Sequence, residues 1–447
     1  MQTRKLALGA LCALAMGGAQ AGQYVLQAAK WGPSQANAVA RAGGSVVYAN
    51  ADAGIAVVQS ENSNFLATAL SGGAIISGAA DIVVQFNSPA QVADVQAQAV
   101  STASAGLYNA QWAPRAVEAP AAWAAGYTGA GVRVAIIDGG IFNAHPDLAG
   151  AIDTVASTSF VTSGAPGLGG CSPAAYNCDT GTFWHATHVA GIIAARGNVG
   201  TIGIAPGATI VGVKALHNGS GSFGAIISAV MYAATDGRAD IINMSLGAEF
   251  DRREDGAAEL RSALNRAINF ATARGTLVVV SAGNSAIDYD HAGNLTVTPA
   301  ESGNAIAISA TGPTGFARGA TDFSTLATYS NYGSSLVWVA APGGNDELFT
   351  SSATCTVSTG FGNLTNPCWV FDLVLNTSRA GWSWAEGTSM AAPAASAVAA
   401  LIKQKNPSAN PAQLKTGLAQ SAVDVGKVGH DASYGNGFVN ARRAVGL

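Results

Sequence analysis

Four side chains of the kinds used in acyl transfer stand at the ends of apolar runs. Asp138 closes VAIID, His185 opens HATHVAGIIAA, Asn284 closes VVVSAGN, and Ser389 stands in EGTSMAAPAASAVAALI where an alanine-rich run begins. A serine hydroxyl is a weak nucleophile until an imidazole takes its proton. The imidazole in turn needs a carboxylate that fixes its tautomer and stabilises its charge. The tetrahedral oxyanion needs preorganised donors, which an Asn amide and a backbone N–H at a helix start can supply. Each residue alone has a plainer reading: Asp138 and Asn284 suit turns, and Ser389 suits a helix N-cap. His185 and His188 are three apart and lack the Glu of a zinc H-E-x-x-H motif, so no metal is expected there.

Elements that could bring these residues together are legible. VRVAIID, TIVGVKAL, ADIINMSL, TLVVVSAG and AIAISAT read as strands, and residues 185–196, 222–237 and 257–274 have helical spacing. Continuous apolar strands alternating with helices predict a three-layer α/β, doubly wound, mostly parallel sheet. Sites in such folds lie beyond the carboxyl ends of the strands, where the four residues fall. Ahead of this, residues 22–87 read as β-α-β-β-α-β, a small ferredoxin-like α+β domain whose last strand is DIVVQF. A polar stretch over residues 88–109 reads as a linker. Residues 157–183 and 343–381 read as long surface loops.

The 447 residues are 49% hydrophobic and 11% charged, with a formal net charge of −4. No basic block suggests nucleic acid. The start, MQTRKLALGALCALAMGGAQAG, has a secretory plan: Arg4 and Lys5, an apolar middle, and Ala19-Gln20-Ala21 before cleavage. Residues 1–21 are therefore expected to leave, with no membrane attachment afterwards and an extracellular or periplasmic destination. Cys171, Cys178, Cys355 and Cys368 then remain, which allows three pairings. The nearest-neighbour bridges 171–178 and 355–368 are expected.

The segments VAIIDGGIFNAHPDL, HATHVAGIIAA, ADIINMSLG, VVVSAGN and GTSMAAPAASAVAALI, in this order, resemble those of secreted subtilisin-like serine proteases, the subtilases. The resemblance runs from about Trp112 to the C-terminus. It implies a subtilisin-like catalytic domain over residues 110–447, with Asp138 as orienter, His185 as base, Ser389 as nucleophile and Asn284 as oxyanion donor. It also implies a substrate-pairing edge at Ser245, Leu246 and Gly247, and a pocket strip at Ala282, Gly283 and Asn284. A cis Thr298–Pro299 bond beside the pocket is a further implication. Residues 22–87 resemble a propeptide that inhibits the enzyme until it is cut away within the linker and degraded. The domain is expected to cover the edge at Ser245–Gly247.

Two departures stand out: Ala186 replaces the usual Gly, and ARGNVGTIGIAP lacks the loop that wraps calcium in many subtilases. Asp147 matches one calcium ligand without its loop partner, so calcium is not expected at that site, while a structural calcium elsewhere on the surface stays open. No cofactor is required for the chemistry. The implied function is a secreted, monomeric serine endopeptidase of broad, mostly apolar specificity, acting on proteins or peptides. The alternative is a non-catalytic subtilase-like binding protein.

Overall fold

The computed structural model describes residues 22–86, 91–95 (as backbone), 105–161, 171–181, 184–254, 256–379 and 381–447. The signal segment and much of the linker lie outside them. Seven strands form one sheet in the order Val337–Pro342, Ile306–Thr311, Leu277–Ser281, Ile241–Met244, Arg133–Asp138, Thr209–Lys214 and Thr158–Ser159. Every neighbouring pair is parallel. Alternation along the strands explains the three layers. Val134 and Ile136 pack with the helices His185–Ala194 and Thr388–Lys405 on one face. Ala135 and Ile137 pack with Phe223–Ala234 and Ala257–Ala273 on the other. Successive side chains point to opposite faces, so a run apolar at every position must be covered twice.

Residues 22–80 form the small domain, an antiparallel four-stranded sheet in the order Gly44–Asn50, Ile55–Ser60, Gln23–Gln27, Ser77–Ala80. Its strands are also two-faced. Leu26, Ala56 and Val58 point into the domain's own core, whereas Val25, Ile55 and Val57 join the core of the large domain beside helices 223–234 and 257–273.

The fourth strand is Ser77–Ala80, not DIVVQF as expected from its apolar run. Val83–Gln85 instead pairs antiparallel with Ser220–Ser222 of the large domain. Ile82 and Val84 pack beside Phe223, Phe250 and Leu260, which accounts for the apolar alternation. The edge that strand 83–85 joins is Ser220–Ser222; the tail at 87–90, on which coverage of Ser245–Gly247 would turn, lies outside the described residues.

Three segments read as irregular contain strands, one being 157–183, whose Thr158–Ser159 adds an edge strand to the main sheet through backbone pairing. Gln91–Val95 in the linker pairs with Gly381–Ala385, a backbone ladder that needs no apolar run. The long stretch 343–381 holds the hairpin Thr354–Thr359/Gly362–Pro367 and the strand Val374–Ser378. Disulfides join Cys171 to Cys178 and Cys355 to Cys368. The Thr298–Pro299 peptide is cis. Among the described residues no helix is long and apolar enough to cross a membrane.

Candidate active site

Three adjacent strands of the sheet, 133–138, 241–244 and 277–281, deliver their carboxyl ends to one edge. Asp138 is the last residue of the first strand and is 2% exposed. Its Oδ1 accepts the Gly139 N–H at 2.6 Å. The first residue of the helix His185–Ala194 faces it: His185 Nδ1 lies 3.0 Å from Asp138 Oδ1 and 2.9 Å from Oδ2. A carboxylate there selects the tautomer with hydrogen on Nδ1 and leaves Nε2 as the basic nitrogen. His188, one turn on, has a different task. It is wholly buried, its Nε2 lies 3.0 Å from the Ser383 carbonyl, and burial lowers its pKa to about 3. It is a neutral packing residue.

Ser389 is the second residue of the helix Thr388–Lys405, not its N-cap; Gly387 holds that place. Its Oγ donates to the Ser245 carbonyl at 3.3 Å. Pro393 lies inside the helix and has no N–H to give the Ser389 carbonyl four residues back. Ser245 Oγ takes over that carbonyl at 2.8 Å. Ser245 is held in turn by Asn243 Nδ2 at 3.0 Å, and Asn243 Oδ1 accepts from Ser396 Oγ at 3.0 Å. A buried polar chain therefore fixes the start of this helix. This gives Ser245 a structural task besides any contact with substrate.

Asn284 is oriented without ambiguity. Its Oδ1 accepts the Thr388 N–H and the Thr388 hydroxyl, each at 2.8 Å. A backbone N–H only donates, so the oxygen must face Thr388 and the NH2 is turned away. The Thr388 hydroxyl also accepts from Gly283 N at 3.0 Å. Gly283 has φ +101°, and a Cβ there would collide with Asn331 Nδ2, so only glycine fits. A cavity opens beside Ser389 and Asn284, with Gly247 and Gly283 in its walls.

A second buried group braces the Asp138 turn. Asp179 Oδ2 accepts the Gly140 N–H at 2.7 Å, and Oδ1 accepts from Asn218 N at 3.1 Å. Lys214, paired with Asp138 across the strands, is fully buried and donates to the Cys178 carbonyl at 2.5 Å. Burial lowers its pKa to about 8, against the pull of the Asp179 carboxylate. The loop closed by Cys171–Cys178 is thereby latched onto the strand beside the one that carries Asp138.

A family model described as the subtilase family matches residues 129–437. The chain belongs to the subtilase family. This subtilase is 36% identical over 341 residues to alkaline elastase YaB of Bacillus sp. (strain YaB), spanning 76% of this chain and 71% of that one. It is 34% identical over 336 residues to subtilisin Savinase of Lederbergia lenta, spanning 74% of this chain and 97% of the relative. Among solved structures, the epidermin leader peptide processing serine protease of Staphylococcus aureus shares the fold. Its TM-score is 0.73 at 21% identity, over 95% of this chain and 99% of that one. The subtilase is a serine endopeptidase.

The structure brings Asp138, His185, Ser389, Asn284, Ser245 and Gly283 to one edge. Leu246 and Ala282 lie beneath, both buried: the Leu246 carbonyl accepts from Ser281 Oγ and the Ala282 carbonyl from Asn331. Thr388, Asp179 and Lys214 were not anticipated. Only Thr388 had a signal, its place beside Ser389.

Proposed function

We propose that this subtilase hydrolyses peptide bonds by attack of Ser389 on the scissile carbonyl. His185 takes the serine proton, Asp138 holds the imidazole, and Asn284 Nδ2 stabilises the oxyanion. The observation that carries this reading is the pairing of His185 Nδ1 with the Asp138 carboxylate at 2.9 Å. Loss of Asp138 would leave the imidazole free to take the wrong tautomer, so Asp138→Asn should lower kcat by orders of magnitude with KM nearly constant.

The reading includes an export signal at 1–21, an inhibitory domain at 22–87, a linker with the maturation bond at 88–109, and a secreted monomeric enzyme at 110–447. It is supported by the course of the tail. Strand 83–85 runs antiparallel to 220–222, and Phe86 N donates to the Gly219 carbonyl at 2.8 Å. The chain therefore heads toward the loop after Lys214, whose Ala215 and Leu216 N–H groups bond the Asp138 carbonyl. A substrate strand laid on the same edge would place apolar side chains where Ile82 and Val84 now pack, hence a broad, mostly apolar preference upstream of the cut.

Calcium does not suit the Asp147 site. Its carboxylate accepts N–H groups of Val199, Gly200 and Thr201 and the Trp382 indole, the last at 2.7 Å. These donors turn their positive ends to the place a cation would need.

The test is the mass of purified Ser389→Ala protein from a host lacking other proteases. The variant should accumulate as the uncut precursor while wild type is cut between about Asn87 and Trp112. Processing of the variant at the wild-type position would assign the cut to another enzyme.

A further inference from the structure

The cavity beside Ser389 carries a charge that the chemistry does not use. Glu249 lies in the strand Ala248–Asp251, opposite Val297 of Leu295–Thr298. Its side chain lines the cavity together with Gly247, Gly283, Val297, Asn284 and Ser389. The carboxylate is aimed by Asn331, which is fully buried. Asn331 Oδ1 accepts the N–H groups of Ser285 and Ile287, each at 3.0 Å, so its NH2 must point the other way. That NH2 donates to Glu249 Oε1 and to the Ala282 carbonyl, each at 3.0 Å. Glu249 is thus fixed against the Ala282-Gly283 strip. Among the described residues it makes no ion pair.

We propose that Glu249 selects lysine or arginine as the residue whose carbonyl is attacked. The inference rests on Ser389 and Asn284 being the nucleophile and oxyanion donor. With the scissile oxygen held at Asn284, the side chain on the same residue enters the cavity that both line. Gly247, Gly283 and Val297 give its stem an apolar path, and the Glu249 carboxylate receives its charged end. A carboxylate partly withdrawn from water is a strong acceptor for an ammonium or guanidinium group and repels an acidic side chain. The apolar preference upstream is set elsewhere, at Phe223, Phe250 and Leu260. Residues 88–114 contain neither Lys nor Arg, so the mature enzyme would spare its own amino-terminal segment. The single cut made in cis relies on delivery by the pinned tail instead of on this pocket.

The experiment compares peptides that differ only at the residue before the cut, carrying lysine, norleucine or glutamate. Norleucine has the lysine stem without the ammonium, so the ratio of kcat/KM values isolates the charge. A charge-assisted hydrogen bond of ordinary strength predicts roughly 10- to 100-fold for lysine over norleucine, with glutamate lowest. In Glu249→Gln the lysine-to-norleucine ratio should fall to near one. A wild-type ratio at or below one overturns the proposal, and this reading stands even if the variant fails to fold. A ratio that survives intact in Glu249→Gln also overturns it. Turnover of norleucine peptides without lysine preference removes this inference and leaves the serine-protease reading in place. No turnover of any peptide by protein freed of its amino-terminal domain removes both.

Discussion

Asp81 lies at the seam between the two domains and should make their hold on one another depend on pH. It is fully buried just before the tail strand, at the start of the helix Phe223–Ala234. Oδ1 accepts the Gly224 N–H at 2.9 Å, and Oδ2 has no partner among the described residues. Burial raises its pKa from the ordinary 3.8 to about 6, and the Gly224 hydrogen bond only partly opposes this. When the cut domain leaves, the carboxyl returns to water and to its ordinary value. The assembled molecule therefore binds this proton more tightly than the separated parts. The contribution to association is fully present below about pH 4, is lost as pH rises through about 6, and is gone above about pH 7. A rise from 3.8 to about 6 corresponds to about 3 kcal/mol at about 1.4 kcal/mol per pH unit, or roughly a 100-fold weaker hold. The assay is the inhibition constant of the cut domain against the mature enzyme from pH 4 to 8, for wild type and Asp81→Asn. The wild-type constant should rise more steeply with pH by about this factor. Equal slopes in the two proteins, or a wild-type grip that tightens as pH rises, would refute the reasoning.

Asn284→Leu should lower kcat by about 10²–10³ with KM almost unchanged, the loss measured when such a donor is removed from a member of this same family. A raised KM with steady kcat would make Asn284 a binding residue. Glu386, two residues before Thr388, has its pKa raised to about 7 by burial and then by the Asp346 carboxylate. A raised pKa in the folded protein favours the fold at low pH, and that support is lost as pH rises through about 7. Glu386→Gln should therefore melt higher than wild type at pH 9 and show little gain at pH 5. A gain confined to acid pH would contradict the burial argument.

The large domain was legible because its strands carry apolar residues on both faces, a pattern that a doubly covered sheet accommodates. The small domain was legible in order but not in its last strand. SGAA at 77–80 has only small side chains and pairs chiefly through its backbone, whereas DIVVQF alternates as an edge strand should. Nothing in alternation tells whether the partner edge belongs to the same domain. Asp138, His185, Asn284 and Ser389 were visible as motifs. Their supports were not, because they come from distant positions. Ser245 answers a carbonyl left open by Pro393, and Asn331 aims Glu249 from 82 positions away. The clamp of Lys214 on the Cys178 carbonyl depends on a strand register that spacing does not reveal.

The most direct test of the triad is covalent labelling of the mature enzyme with a fluorophosphonate, followed by mass mapping of the adduct. The phosphonyl group should be found on the peptide containing Ser389. It should be absent from Ser389→Ala. An active enzyme that takes no label, or labels at another serine, would contradict the assignment of Ser389 as nucleophile.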